Sequence, residues 1–102
     1  MFDGARSFEG VTSDLALHCE RVVNSWRAFT MNLTVSVHEM VEIALDGVAK
    51  FPNGAEPYMR PMFWAQEGWI APDLASTQFA MLVDKPPLPP VTGFGICLST
   101  CR

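Results

Sequence analysis

Basic residues are scarce in this 102-residue chain: seven lysines and arginines stand against eleven aspartates and glutamates, a formal net charge of −4. They are scattered singly from Arg6 to Arg102, so there is no clustered basic face of the kind that binds a nucleic-acid backbone or an anionic membrane. Long hydrophobic runs are missing too. The strongest, such as Phe79 to Val83, are far too short to span a bilayer. The start, Met1-Phe2-Asp3-Gly4-Ala5-Arg6, has no apolar signal-peptide core, and no internal repeat is visible. These absences predict a soluble, cytoplasmic chain whose partners include neither nucleic acid nor membrane. Short C-x-x-C pairs are also lacking. Cys97 and Cys101, with His18 and His38, could be imagined around a metal, but an isolated cysteine is more often a small core residue. Cys19, Cys97 and Cys101 are therefore expected to be free thiols, and no metal site is assigned. The sequon Asn32-Leu33-Thr34 is idle without a secretory route.

What is present is a globular composition, 49% apolar and 18% charged, in a length that allows one domain with a modest core. Residues 2 to 9 alternate, placing Phe2, Gly4, Arg6 and Phe8 on one face of an extended segment that Gly10 ends. Ser13 stands where a helix N-cap should, with Asp14 in the first turn. Leu15, Cys19, Val22, Trp26 and Phe29 then recur at helical spacing, predicting a first helix to about Ala28. A second helix is expected from the capping box Ser36 and Glu39, with Val35 and Met40 as its hydrophobic staple, running to about Lys50. Pro52-Asn53-Gly54 stops it. Pro57 to Trp64 predicts a strand that Pro61 should confine to an edge or a bulge. Thr77 to Asp84 predicts another strand. Lys85-Pro86-Pro87-Leu88-Pro89-Pro90 reads as a stiff extended connector rather than an SH3 or WW ligand, because the flanking basic pattern is missing. Gly93 to Ser99 predicts one more strand. The fold class expected is α+β, a mainly antiparallel sheet with two helices packed on one face.

On the strand from Pro57 to Trp64, alternation puts Tyr58, Arg60, Met62 and Trp64 on one face. An arginine among such neighbours is costly to bury unless it meets an anion, and Arg6, between Gly4 and Phe8, raises the same question. Two arginines and a tyrosine hydroxyl on facing strands would suit a carboxylate, which guanidinium binds bidentately. Spacing alone favours a plainer reading, in which both arginines emerge at sheet edges and reach water. Arg21 alone reads as a solvated helix residue.

Three ordered motifs bear on this: Phe2-Asp3-Gly4-Ala5-Arg6, the helical Leu17-His18-Cys19-Glu20-Arg21-Val22, and Tyr58-Met59-Arg60-Pro61-Met62. They resemble, in order and separation, the F-(E/D)-G-x-R, H-x-x-R and Y-I-R-P motifs of the class IV (fold type IV) pyridoxal-phosphate aminotransferases, above all the branched-chain amino acid aminotransferases. The resemblance extends over nearly the whole chain. It implies that Arg21 binds the cofactor phosphate, and that Phe2 and Gly4 line the substrate pocket. Arg6, Tyr58 and Arg60 would handle the substrate carboxylates, with amino acid and 2-oxo acid as small-molecule partners. It also implies self-association, since family members dimerise. The family's Schiff-base lysine has no counterpart here, because neither Lys50 nor Lys85 stands in its motif. No residue is therefore assigned a catalytic role, and the chain alone is expected to be inactive and to bind no pyridoxal phosphate. Residues 1–91, including the connector 85–91, are expected to form a small domain lacking its leading strands, and 92–102 to begin the first strand of a missing large domain. Without that partner, the chain could instead be a stand-alone interaction module or a carboxylate-binding domain.

Overall fold

Glu9 and Gly10 both take positive φ, 50° and 79°, the conformation of a two-residue hairpin turn whose twist matches the strands it joins. The turn folds β1, Ala5–Phe8, against β2, Val11–Thr12, with Phe8 opposite Val11. Alternation predicted β1 but not β2; Glu-Gly is a weaker hairpin signal than Asn-Gly, and two residues carry no period. The structure, a computed structural model, describes residues 1–97. Two helices follow, α1 over Leu15–Ala28 and α2 over Val37–Ala49, then β3 over Tyr58–Ala65 and β4 over Thr77–Asp84. The four strands form one antiparallel sheet in the order β2-β1-β3-β4. A short 3-10 turn, Leu74–Ser76, leads into β4.

The start of α1 differs from expectation. Asp14, not Ser13, is the N-cap; it has φ 57° and its side chain caps nothing. Its carbonyl accepts the first helical bond, from the His18 N–H at 3.0 Å. A left-handed backbone is tolerated by aspartate more than by most residues, and it lets the chain leave β2 and enter the helix within two residues. The capping box of α2 is as expected: the Glu39 N–H donates to Ser36 Oγ at 3.2 Å and the Ser36 N–H to Glu39 Oε2 at 2.8 Å.

Pro61 is neither at an edge nor in a bulge. β3 is an inner strand, and its eight pairings with β4 run without interruption through Pro61 opposite Met81. On its other side Ala5 and Arg6 pair with Met59 and Tyr58, and Phe2 forms an isolated bridge to Met62 in the same register. Asp3 thus faces Pro61 and donates its N–H to the prolyl carbonyl at 3.4 Å. The missing prolyl N–H removes one bond, which is why β1 begins only at Ala5 although the chain is already in line at Phe2.

Both helices cover one face of the sheet. Ala5, Met59 and Phe63 point into that layer with Leu15, Cys19, Val22, Val23 and Trp26 of α1 and Met40 and Ala44 of α2. Trp26, Phe63 and Phe79 stack in succession at centroid distances of 4.5 and 4.9 Å, joining α1, β3 and β4. Arg6, Tyr58, Arg60, Met62 and Trp64 alternate with the buried positions and stand on the helix-free face. Gly93 to Cys97 has no regular structure, so the last expected strand does not form there; the rest of that strand, with Cys101, lies outside the described residues.

Candidate functional site

The helix-free face brings together five of the six residues singled out in the sequence. Arg60 lies in the middle of β3, its Cζ 5.3 Å from the ring centroids of both Phe2 and Tyr58. Arg6 approaches Tyr58 from the β1 side at 5.8 Å. Tyr58 is thus flanked by two guanidinium groups. Its hydroxyl lies over Gly4, in the space a Cβ there would take. The glycine is required by a side chain of the same sheet, a closer neighbour than the substrate that the motif alone suggested.

The two arginines differ in what holds them. Arg6 donates from Nη1 and Nη2 to the Pro86 carbonyl at 3.2 and 3.1 Å, with a longer contact to the Glu56 carbonyl at 3.5 Å. Its charge is therefore met by neutral carbonyls, and a carboxylate arriving there has to share or displace them. Arg60 has a buried Nε without a hydrogen-bond partner among the described residues, and Asp84 Oδ1 is buried in the same condition. Asp84 pairs with Tyr58 in the ladder, so an unsatisfied donor and an unsatisfied acceptor occupy neighbouring positions of one face. Buried polar atoms left without partners are costly.

Arg21 sits apart from this cluster, on α1. Its Nε and Nη2 donate to the two oxygens of Asp3 at 2.6 Å each, and His18 Nδ1 lies 3.3 Å from Asp3 Oδ1. Asp3 alternates with Phe2 and Gly4, which turns it toward α1 while they face the other way. Asp3 is the residue that the motifs contained but sequence reasoning did not single out; the signal was an acid one residue out of phase with the pocket positions. The Arg21 guanidinium, aided by the Gly4 N–H and by His18, holds the Asp3 carboxyl below the ordinary aspartate value, against a smaller opposing effect of burial. Burial pushes the neighbouring Cys19 thiol up, with the Asp3 charge adding to it, so Cys19 is a packed thiol rather than a nucleophile.

A cleft of about 160 Å3 is lined by Met1, Phe2, Asp3, Arg21, Val22 and Ser25. Phe2 thereby borders both the arginine cluster and the Arg21 cleft. The Asp3 carboxylate takes the Nε side of Arg21, and Nη1 has no hydrogen bond among the described residues. An exposed guanidinium edge beside a small cleft suits a phosphate group, whereas whole cofactor sites need roughly 300 Å3 or more. The cleft has room for a phosphate-sized group and not for a whole cofactor.

No protein-family profile matches the chain. Among solved structures, an aminotransferase from Brucella abortus, bound to pyridoxal phosphate, superposes with a TM-score of 0.82 at 41% identity, over 92% of this chain and 35% of that one. Over these residues the chain is similar to that aminotransferase in both fold and sequence. The Escherichia coli branched-chain amino acid aminotransferase matches this chain in fold, with a TM-score of 0.76 at 21% identity over 91% of this chain and 32% of that one. Among curated proteins, a probable branched-chain-amino-acid aminotransferase of Rickettsia felis is 33% identical over 64 residues, covering 63% of this chain and 22% of that protein. The two helices and antiparallel sheet are the α+β fold expected from the sequence, and they match the corresponding third of that Escherichia coli chain. The chain thus spans between 22% and 35% of the length of these relatives. Among the described residues, no helix is long and apolar enough to cross a membrane.

Proposed function

We propose that this chain is the small-domain part of a branched-chain-type aminotransferase, contributing its share of a site that takes amino acids and 2-oxo acids in the complete enzyme and inactive by itself. The observation that carries the reading is the pairing of Arg6 and Arg60 about Tyr58 on one open face, with Arg60 Nε buried and unpaired. In it Arg60 and Tyr58 bind the substrate carboxylate, Arg6 reaches the same group when it exchanges Pro86, and Phe2 and Met62 form the apolar side. Gly4 keeps the Tyr58 hydroxyl close to the sheet. Arg21, held by Asp3, takes the phosphate of pyridoxal phosphate. When bound, that group supplies the electron sink that amino transfer needs. Residues 1–91 form the small domain and 92–102 lead into the next, the location is cytoplasmic, and the chain self-associates.

Transamination by this chain alone is not expected. Lys50 caps α2 and pairs with Asp46 at 2.8 Å, and Lys85 is exposed after β4; neither is on the arginine cluster or the Arg21 cleft. Titrating the chain with a branched 2-oxo acid should shift the Arg60 side-chain NMR resonance, and Arg60→Ala should abolish the binding heat measured by calorimetry with the same acid. An unmoved resonance would overturn the carboxylate reading. Amino transfer on adding pyridoxal phosphate to the purified chain would overturn the expected inactivity. A second reading, a carboxylate-binding domain without catalysis, rests on the same unpaired Arg60 Nε and Asp84 Oδ1. It is distinguished by binding that is unchanged when an intact relative is supplied.

A further inference from the structure

The two edges of the sheet are unlike. One is β2, only two residues long, the kind of short edge that resists pairing. The other is β4, eight residues, Thr-Gln-Phe-Ala-Met-Leu-Val-Asp, with no proline, lysine or arginine and no bulge in its register. Among the described residues nothing pairs with its outer side. A long, flat, apolar edge is a template for another strand. Beside it, α2 packs so closely that a Cβ on Gly47 would meet Val83 Cγ2 at 2.7 Å. A groove of about 380 Å3 runs between the end of α2 and this edge, with Ile43, Gly47 and Phe51 on the helix side and Met81 and Val83 on the strand side. Ile43 is 44% exposed there. The Asp46–Lys50 ion pair lines the same groove, so an incoming strand would find a backbone ladder beside a mixed wall, apolar at Ile43, Met81 and Val83 and charged on its helix side.

We infer that β4 pairs antiparallel with β4 of a second copy about a two-fold axis, joining the two sheets into one. This rests on the self-association proposed above and names its surface. The strand is complementary to itself in that sense. With Met81 opposite Met81 of the second copy, Phe79 meets Val83 and Ala80 meets Leu82, so each face pairs apolar with apolar. Asp84, the only charge of the strand, falls opposite Gln78, and the two aspartates lie at opposite ends. Parallel pairing would set them side by side.

Gln78 is exposed, so its substitution tests the register without disturbing the core. Sedimentation velocity over a concentration series should show a monomer–dimer equilibrium for the chain. Gln78→Asp, which sets two carboxylates opposite each other twice by symmetry, should weaken the dimer several-fold, and Gln78→Lys should tighten it. Leu82→Lys should also weaken it, with far-UV circular dichroism reporting an intact fold. A chain that stays monomeric overturns the self-association itself. A dimer indifferent to both Gln78 variants, or dispersed by Trp69→Ser at the exposed hairpin loop instead, overturns the β4 interface alone.

Discussion

At the scale of single residues, the face that carries Tyr58 depends on an absence of atoms. Gly4 leaves room for the Tyr58 hydroxyl, and Tyr58 in turn spaces Arg6 from Arg60. Gly4→Ala is expected to push the ring off the sheet and cost about 1–3 kcal/mol, as overpacking does; urea unfolding measures it, and Tyr58→Phe, which removes the clashing hydroxyl, should recover part of the loss in the double variant. Asp3 makes a prediction in pH. Its carboxyl is held below the ordinary value by Arg21, so the ion pair stabilises the fold fully above about pH 4, the unfolded aspartate range. That contribution falls away as pH drops through the lower folded value. Asp3→Asn should therefore flatten the acid side of a stability-against-pH curve. An unchanged acid slope would mean that the pair with Arg21 contributes nothing to folding.

Among the elements, α2 is the one whose local signals and packing agree. Ser36 and Glu39 close the capping box, and Ser36→Ala should lower stability by about 1 kcal/mol, read from the midpoint of denaturant unfolding. The elements legible in the sequence were those with a long period or a side-chain signature: α1 by its stripe from Leu15 to Trp26, α2 by its cap, β4 by eight unbroken strand residues. What was illegible had other causes. The Ser13 cap lost to Asp14 because the β2 turn delivers the chain to α1 in a left-handed conformation that no local pattern encodes. Pro61 was expected at an edge or a bulge because a strand's neighbours on either side come from distant sequence, and the missing N–H turned out to cost one bond in an unbulged inner strand. The site was legible where alternation governs it, since Phe2, Gly4, Arg6, Tyr58 and Arg60 share a face by period alone. The Asp3 contact to Arg21 needed the tertiary packing of α1 on β1.

Over the whole molecule, stability passes through a single aromatic stack. Trp26, Phe63 and Phe79 tie one helix to the two longest strands, and Phe63 is 1% exposed. Phe63→Ala is expected to cost about 3–5 kcal/mol, a large share of the ~5–15 kcal/mol that holds a domain together, and thermal unfolding should show the variant at or past its stability limit. The arginine cluster lies on the opposite face of the sheet, away from this stack. One contact links that face to the way the chain departs. Arg6 grips the Pro86 carbonyl with both terminal nitrogens, at the root of a segment whose four prolines, Pro86, Pro87, Pro89 and Pro90, fix the backbone φ. A stiff segment clamped at its base is a pointer, not a leash: it sets the compass bearing of the residues that come after it. A ligand that draws Arg6 away from Pro86 thus also lets the needle swing.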